Sequence, residues 1–96
     1  MNTYNIKDIK VLSKIEYIEE KMKRDLETIK RFGFTPKEEA MKEVARNYEK
    51  QYMDLLNNKY DIGYLIPDYV KVKQVVLYQN DFCFIDDKNK LYYIAD

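Results

Sequence analysis

The sequence predicts an α+β fold in which an antiparallel helical hairpin is followed by a three-stranded antiparallel β-meander. Apolar residues recur at spacings of three and four before residue 57, whereas from residue 70 the side chains follow a period of two. Turn-forming residues separate the segments. We expect the two helices to pack on one face of the sheet, because each helix has a single apolar stripe to bury.

The first helix is expected over residues 13–33. Ser13-Lys14-Ile15-Glu16 has the pattern of a capping box, in which the serine oxygen and the glutamate carboxylate each accept a backbone amide. Gly33 stands where a left-handed residue would end the helix. The helical stripe consists of Ile15, Ile18, Met22, Leu26 and Ile29.

The N-terminal segment, residues 1–12, has two interpretations. Val11 continues the apolar stripe, and Asn5 with Asp8 offers an earlier cap, so that residues 5–12 would extend the first helix. The alternative is that residues 5–12 form a strand.

The second helix is expected over residues 35–57. Thr35 is the predicted cap, Pro36 the first helical residue and Glu38 the third position of a capping box. The pair Asn57-Asn58 ends the helix. Its stripe consists of Met41, Val44, Tyr48, Tyr52 and Leu55. The short connection favours an antiparallel hairpin.

The sheet is expected over residues 70–95. A two-residue loop at Asn80-Asp81 would place Leu77 opposite Phe84. A second turn would pair Asp86 with Lys90 and hold Asn89 in the left-handed region.

Length and composition predict a single cytoplasmic domain over residues 1–96. Seventeen basic and 17 acidic residues cancel, so no overall charge attracts nucleic acid or a membrane surface. The lone cysteine, Cys83, cannot form an internal disulfide, which indicates a reducing compartment. No apolar run approaches the ~20 residues of a membrane-spanning helix.

Residue usage indicates an AT-rich genome. Phe, Tyr, Met, Ile, Asn and Lys, whose codons are AT-rich, fill 48 of 96 positions, whereas Gly, Ala, Arg and Pro fill ten. A low-GC bacterium, its phage or its plasmid fits this bias.

The sequence argues against catalysis, a cofactor and a metal. Histidine is absent, which removes the commonest general base near neutral pH. Ser13 is explained as a helix cap, and no basic or histidine neighbour in sequence would activate Cys83. Glycine occurs only at positions 33 and 63, which excludes glycine-rich phosphate loops.

A basic ridge on the first helix predicts a nucleic-acid contact as one alternative. Its members are Lys14, Lys21, Arg24 and Arg31. Glutamates four residues before two of these cations, in the pairs Glu20–Arg24 and Glu27–Arg31, would neutralise the ridge and favour a solvated helix face.

The two apolar faces of the predicted sheet indicate a contact with another protein. Both of its faces are apolar, yet two helices can cover only one of them. The expected contact face comprises Val75, Leu77, Phe82, Phe84, Tyr92 and Ile94. Its partner would be a host protein or a second copy forming a homodimer; the alternative is internal cover by the N-terminal segment or by residues 60–69.

The function expected from these features is that of a non-enzymatic protein-binding module. A small phage or mobile-element regulator or inhibitor that occludes a partner's surface fits the size and composition. An inhibitor of a host defence nuclease, as anti-CRISPR proteins are, is one version by analogy. The alternative is a nucleic-acid-binding accessory protein that uses the basic ridge or the sheet tyrosines.

Overall fold

The computed structural model describes residues 6–59, 67 and 69–94. A 3-10 turn (Ile6–Asp8) precedes strand β1 (Ile9–Val11), helices α1 (Lys14–Arg31) and α2 (Glu38–Leu56), and strands β2 (Val72–Tyr78), β3 (Asp81–Asp86) and β4 (Leu91–Tyr93). The strands form one antiparallel sheet in the order β1-β2-β3-β4. The predicted α+β fold, a helical hairpin followed by a meander, is confirmed.

Strand β1 adds a fourth strand to the predicted meander. Ile9 lies opposite Tyr78 and Val11 opposite Val76, so the strand interpretation of residues 5–12 holds for residues 9–11. Asn5, the proposed earlier helix cap, lies outside the described residues. Because β1 pairs with β2, it extends the edge of the sheet that the meander alone would leave open.

Both ends of α1 follow the sequence prediction. The Glu16 amide donates to Ser13 Oγ at 3.2 Å, and the Ser13 amide donates to Glu16 Oε1 at 3.0 Å. At the other end Gly33 has a φ of 76°. The Gly33 amide donates to the Lys30 carbonyl and the Phe34 amide to the Ile29 carbonyl, which is the Schellman arrangement.

The start of α2 differs from the prediction. Helix α2 begins at Glu38, its N-cap is Lys37, and this cap makes no side-chain hydrogen bond. Thr35 therefore lies three positions before the first helical residue and does not cap the helix. Residues 32–37 are used to reverse the chain direction, and Glu38 and Glu39 then place negative charge in the first turn, where the helix dipole favours it.

Asn58 ends α2 and connects it to the sheet. Its φ is 58°, and the amides of Asn58 and Lys59 donate to Leu55 and Asp54 in a second Schellman arrangement. The Asn58 side chain donates to the Val70 carbonyl at 2.7 Å and accepts from the Val72 amide at 3.0 Å. These bonds position the start of β2 against the end of the helix.

The β2–β3 turn lies one residue earlier than predicted. Gln79 and Asn80, with φ of 51° and 70°, form the loop, as in a type I′ turn. Leu77 consequently lies opposite Phe82 rather than Phe84. Moving the loop by one residue moves each partner by two, so the side chains from Val75 to Tyr78 keep their predicted faces. A bulge between Val72 and Gln74 shifts the register before them. The observed register places Val75 opposite Phe84, whereas the predicted one would have placed Val75 opposite Asp86.

The β3–β4 turn is confirmed. The Asp86 amide donates to the Lys90 carbonyl, and Asn89 has a φ of 63°. The buried Asp86 carboxylate accepts from the amides of Lys88 and Lys90 and from the Tyr92 hydroxyl. Burial and the neighbouring Asp86 charge raise the pKa of Tyr92. The carboxylate has a structural role, because it satisfies the turn amides.

The main core lies between the helices and one face of the sheet. Tyr17 of α1 is fully buried, 5.5 Å from the Tyr52 ring and 5.4 Å from the Phe82 ring. The Tyr52 hydroxyl donates to the Leu12 carbonyl at 2.9 Å. The buried residues of the main core are Leu12, Tyr17, Tyr52, Leu55, Val70, Val75, Phe82, Phe84 and Ile94.

The opposite sheet face also carries a buried cluster. Val76, Cys83, Ile85 and Leu91 form it, and Ile9 and Tyr78 pack against it. The centre of each apolar face is therefore buried within the folded chain, whereas Val11 and Tyr93 at the edges of the second face are about half exposed.

Candidate protein-binding surface

The six residues predicted to form a protein contact lie in the main core. Val75, Phe82, Phe84 and Ile94 are buried, and Leu77 and Tyr92 pack against them. Phe84 stacks on Tyr92 with ring centroids 4.9 Å apart. The helices cover the face that we had assigned to a partner, which corrects the interface prediction for these residues.

The reason for expecting an exposed sheet face is removed as well. It assumed that one apolar face would lack cover, but the cluster around Cys83 on the other face is buried too. A candidate contact surface must therefore be sought on the helical hairpin.

The hairpin divides into two regions. Its base, next to the sheet, contains the buried side chains of the two helices: Tyr17 in α1, and Tyr52 and Leu55 in α2. Its distal half, residues 22–47, contains none. An 18-residue helix is about 27 Å long, so the distal half extends beyond the core.

The helix-1 stripe, which comprises Ile15, Ile18, Met22, Leu26 and Ile29, does not face the sheet. Ile15 is 63% exposed, and the other four are only half-buried. Tyr17 occupies the core-facing side of α1 instead, followed by Lys21 and Arg24, whose cationic groups lie 4.3 and 4.6 Å from the centre of the Phe82 ring. Long cationic side chains can cover apolar surface with their stems. The side of α1 that packs on the sheet is therefore the one that carries Tyr17, Lys21 and Arg24.

The helix-1 stripe lines a shallow groove. Ile18, Met22 and Leu26 supply its apolar part, and four charged residues flank it: Glu19, Lys23, Glu27 and Lys30. This combination of an apolar centre and a charged rim is typical of protein contact surfaces.

The hairpin tip, residues 32–37, exposes two aromatic rings. Phe32 and Phe34 are 72% and 69% exposed. They flank Gly33, where a Cβ atom would meet nothing within 4 Å. The Schellman hydrogen bonds hold the backbone that carries both rings. The sequence signal was present, since a phenylalanine on each side of a helix-ending glycine has no place in the helical stripe.

Three of the four cations of the predicted nucleic-acid ridge contact other residues of the protein. Lys14 pairs with Glu49 at 3.5 Å, and Lys21 lies over the Phe82 ring. Arg24 pairs with Glu20, as predicted, and donates to the Asn80 carbonyl at 2.6 Å. Arg31 is exposed in the last turn of α1. The first three cations stabilise contacts of α1, which leaves them poorly placed to bind phosphate.

Cys83 is inaccessible as a nucleophile. Its side chain is fully buried, and desolvation together with the Asp81 charge raises the pKa of the thiol to about 12. A thiol with this pKa is protonated at neutral pH, and the thiolate is the reactive form. Among residues 6–59, 67 and 69–94, no three acidic or cysteine side chains are grouped so that they could hold a metal ion.

Neither helix in the described part of the chain combines the length and the apolar character needed to cross a membrane. Comparisons of the chain with protein-family models, with curated proteins and with solved structures find no significant match.

Proposed function

We propose that this chain is a non-enzymatic protein-binding module whose hairpin tip contacts a foreign protein. The observation that carries the proposal is the exposure of Phe32 and Phe34, each more than two-thirds accessible, at the end of the hairpin. Truncation of a few aromatic side chains typically removes most of the binding energy of an interface.

The hairpin is suited to present these rings. Helix α1 is capped at both ends, and beyond Arg24, which contacts Asn80 and the Phe82 ring, no side chain of the hairpin up to residue 47 is fully buried. The rings therefore lie on a hydrogen-bonded turn at the far end of two packed helices. A prearranged contact loses less conformational entropy on binding than a flexible one.

The mode of action that we propose is occlusion of a partner's surface by a small cytoplasmic regulator or inhibitor. Small size, AT-rich residue usage and the lack of a legible catalytic group support a phage or mobile-element origin. Inhibition of a host defence nuclease is one version of this proposal and rests on analogy.

The nucleic-acid alternative has less support. Lys14, Lys21 and Arg24 are engaged with Glu49, with aromatic rings and with Glu20. Because affinity for nucleic acid grows with the number of phosphates neutralised, few available cations favour weak, salt-sensitive binding.

The proposal is tested by affinity purification from the native host with Phe32→Ser/Phe34→Ser as the variant. A protein recovered in stoichiometric amount with the wild type should be lost with the variant. Glu43→Lys, an exposed change on α2, is the control and should retain the protein. Recovery of nucleic acid in place of a protein, or retention of the protein by the double variant, would contradict the proposal.

A further inference from the structure

We propose that the helix-1 stripe pairs with the same stripe of a second copy of this chain, antiparallel, about a two-fold axis at Met22. The occupant of the apolar groove on α1 is then α1 of the other copy. This contact is separate from the foreign contact at the hairpin tip, and either can exist without the other.

The first argument is the symmetry of the stripe. Spacings of 3, 4, 4 and 3 residues separate Ile15, Ile18, Met22, Leu26 and Ile29, so the series is the same in both directions from Met22. A two-fold contact requires that residue i faces residue j while j faces i. Antiparallel pairing about Met22 meets this requirement, with Ile15 opposite Ile29 and Ile18 opposite Leu26.

The second argument is charge complementarity along the rim of the groove. The rim carries Glu19 towards the start of α1 and Lys23, Glu27 and Lys30 towards its end, so its second half has a net positive charge. In the antiparallel pair Lys23 lies beside Glu19 of the second copy, offset by two residues or about 3 Å along the axis. The symmetry produces this pair twice. Glu27 of the second copy lies at the same axial offset from Glu19 but farther round the helix from the stripe than Lys23 does.

A second pair of opposite charges lies farther along the helices. Lys30 comes within two residues of Glu16 of the second copy, again about 3 Å along the axis. The Glu16 side chain is about half exposed, although it also closes the capping box and lies 3.9 Å from Lys10. Glu16 and Glu19 of one copy thus meet the second half of the other rim, where two lysines outnumber one glutamate.

The expected dimer is weak. The contacting face of α1 is about 27 Å long and about 10 Å wide, and stable interfaces typically bury ~800 Å² on each partner. We therefore expect reversible association between about 10 μM and about 1 mM, the range typical of small contacts.

Engineered disulfides test the arrangement on the full chain, and the buried Cys83 serves as an internal background. Met22→Cys lies on the proposed axis and should cross-link with itself under mild oxidation. Ile18→Cys alone should not, because two copies of residue 18 would lie eight residues apart, about 12 Å, which is beyond the Cα separation of ~7 Å that a disulfide spans. A mixture of Ile18→Cys with Leu26→Cys should form the mixed disulfide.

Charge reversal gives an independent test by sedimentation equilibrium. Glu19→Lys or Lys23→Glu should each weaken self-association at least about tenfold, the effect of leaving like charges in contact twice. The double variant Glu19→Lys/Lys23→Glu should restore it. Glu43→Lys is the control and should associate like the wild type, and far-UV circular dichroism should show all variants folded.

The outcomes decide between the arrangements. A wild type that stays monomeric at about 1 mM while retaining its foreign partner would overturn the dimer and leave the proposed function standing. Cross-linking of Ile18→Cys with itself would indicate parallel pairing and overturn the antiparallel arrangement. Loss of the foreign partner on mutation of the tip, with self-association unchanged, is the result expected if both proposals are correct.

Discussion

The base and the distal half of the helical hairpin have similar apolar periodicity but differ in how deeply their side chains are buried. At the base, Tyr17, Tyr52 and Leu55 are buried against the sheet. In the distal half no side chain is fully buried, and Phe32 and Phe34 are largely exposed. An apolar stripe at helical spacing thus indicates a helix, but a neighbouring element must be present before the stripe becomes core.

This difference implies that the two regions contribute unequally to stability. Burial of apolar area contributes about 25 cal/mol per Å², so the base should supply most of the hairpin's share of the folding free energy. The exposed surface of the distal half is then available for binding, because exposed side chains can change with little effect on the fold. Paired substitutions measure this contrast, with one member in or beside the base and the other in or next to the distal half.

The largest effect is expected from Phe84→Ala, with Phe34→Ala as its matched control. Phe84 is fully buried and stacked on Tyr92, so its truncation should cost about 3–5 kcal/mol of unfolding free energy. Phe34→Ala should change the unfolding free energy by no more than about 0.5 kcal/mol, because its ring is exposed. Equilibrium urea unfolding measures both, and equal losses would show that the distal half is part of the core.

Removal of single tyrosine hydroxyls gives a finer comparison of the two regions. Tyr52→Phe would leave the Leu12 carbonyl of the base without its 2.9 Å partner, at a cost of about 1–3 kcal/mol. Tyr48→Phe removes a hydrogen bond to Asp25 one turn farther from the base. Its cost should be smaller, because Asp25 is only half-buried and water can replace the donor. A larger loss for Tyr48→Phe in urea unfolding would reverse the proposed gradient of stability.

The helix caps provide the next contrast. Ser13→Ala removes the observed capping box of α1 and should destabilise the protein by about 0.5–2 kcal/mol. Thr35→Ala should stay within about 0.5 kcal/mol of the wild type, because α2 begins at Glu38 and Thr35 does not cap it. The unfolding midpoints of the two variants measure this, and a comparable shift for Thr35→Ala would place the start of α2 earlier.

The smallest effect concerns the pH dependence of the α1 cap. The hydrogen bonds with the Ser13 backbone and side chain hold the pKa of Glu16 below its ordinary value of 4.5. A carboxyl with a lowered pKa in the folded state contributes stability above the unfolded pKa, and this contribution is lost as the pH falls through the folded pKa. Glu16→Gln should therefore lose less stability than the wild type on acidification below pH 4.5. Parallel acid unfolding curves for the two proteins would contradict the assignment.

Local signals in the sequence were sufficient for several elements of the fold. The capping box at Ser13, the left-handed Gly33 and the β3–β4 turn at Asn89 all form as predicted. Each depends on the backbone geometry of a few neighbouring residues, and each involves a residue type suited to that geometry. The order of helices and strands follows for the same reason.

Long-range packing decided the rest of the structure. The sequence pattern separates two apolar sheet faces but contains no information on which face the helices will cover, because either choice satisfies the alternation. The same holds for α1: the helix-1 stripe and the side carrying Tyr17 compete for one core, and the Tyr17 side lies against Phe82. β1 is likewise only three residues long and gains its hydrogen bonds from β2, so its conformation depends on a partner more than 60 residues away in the chain.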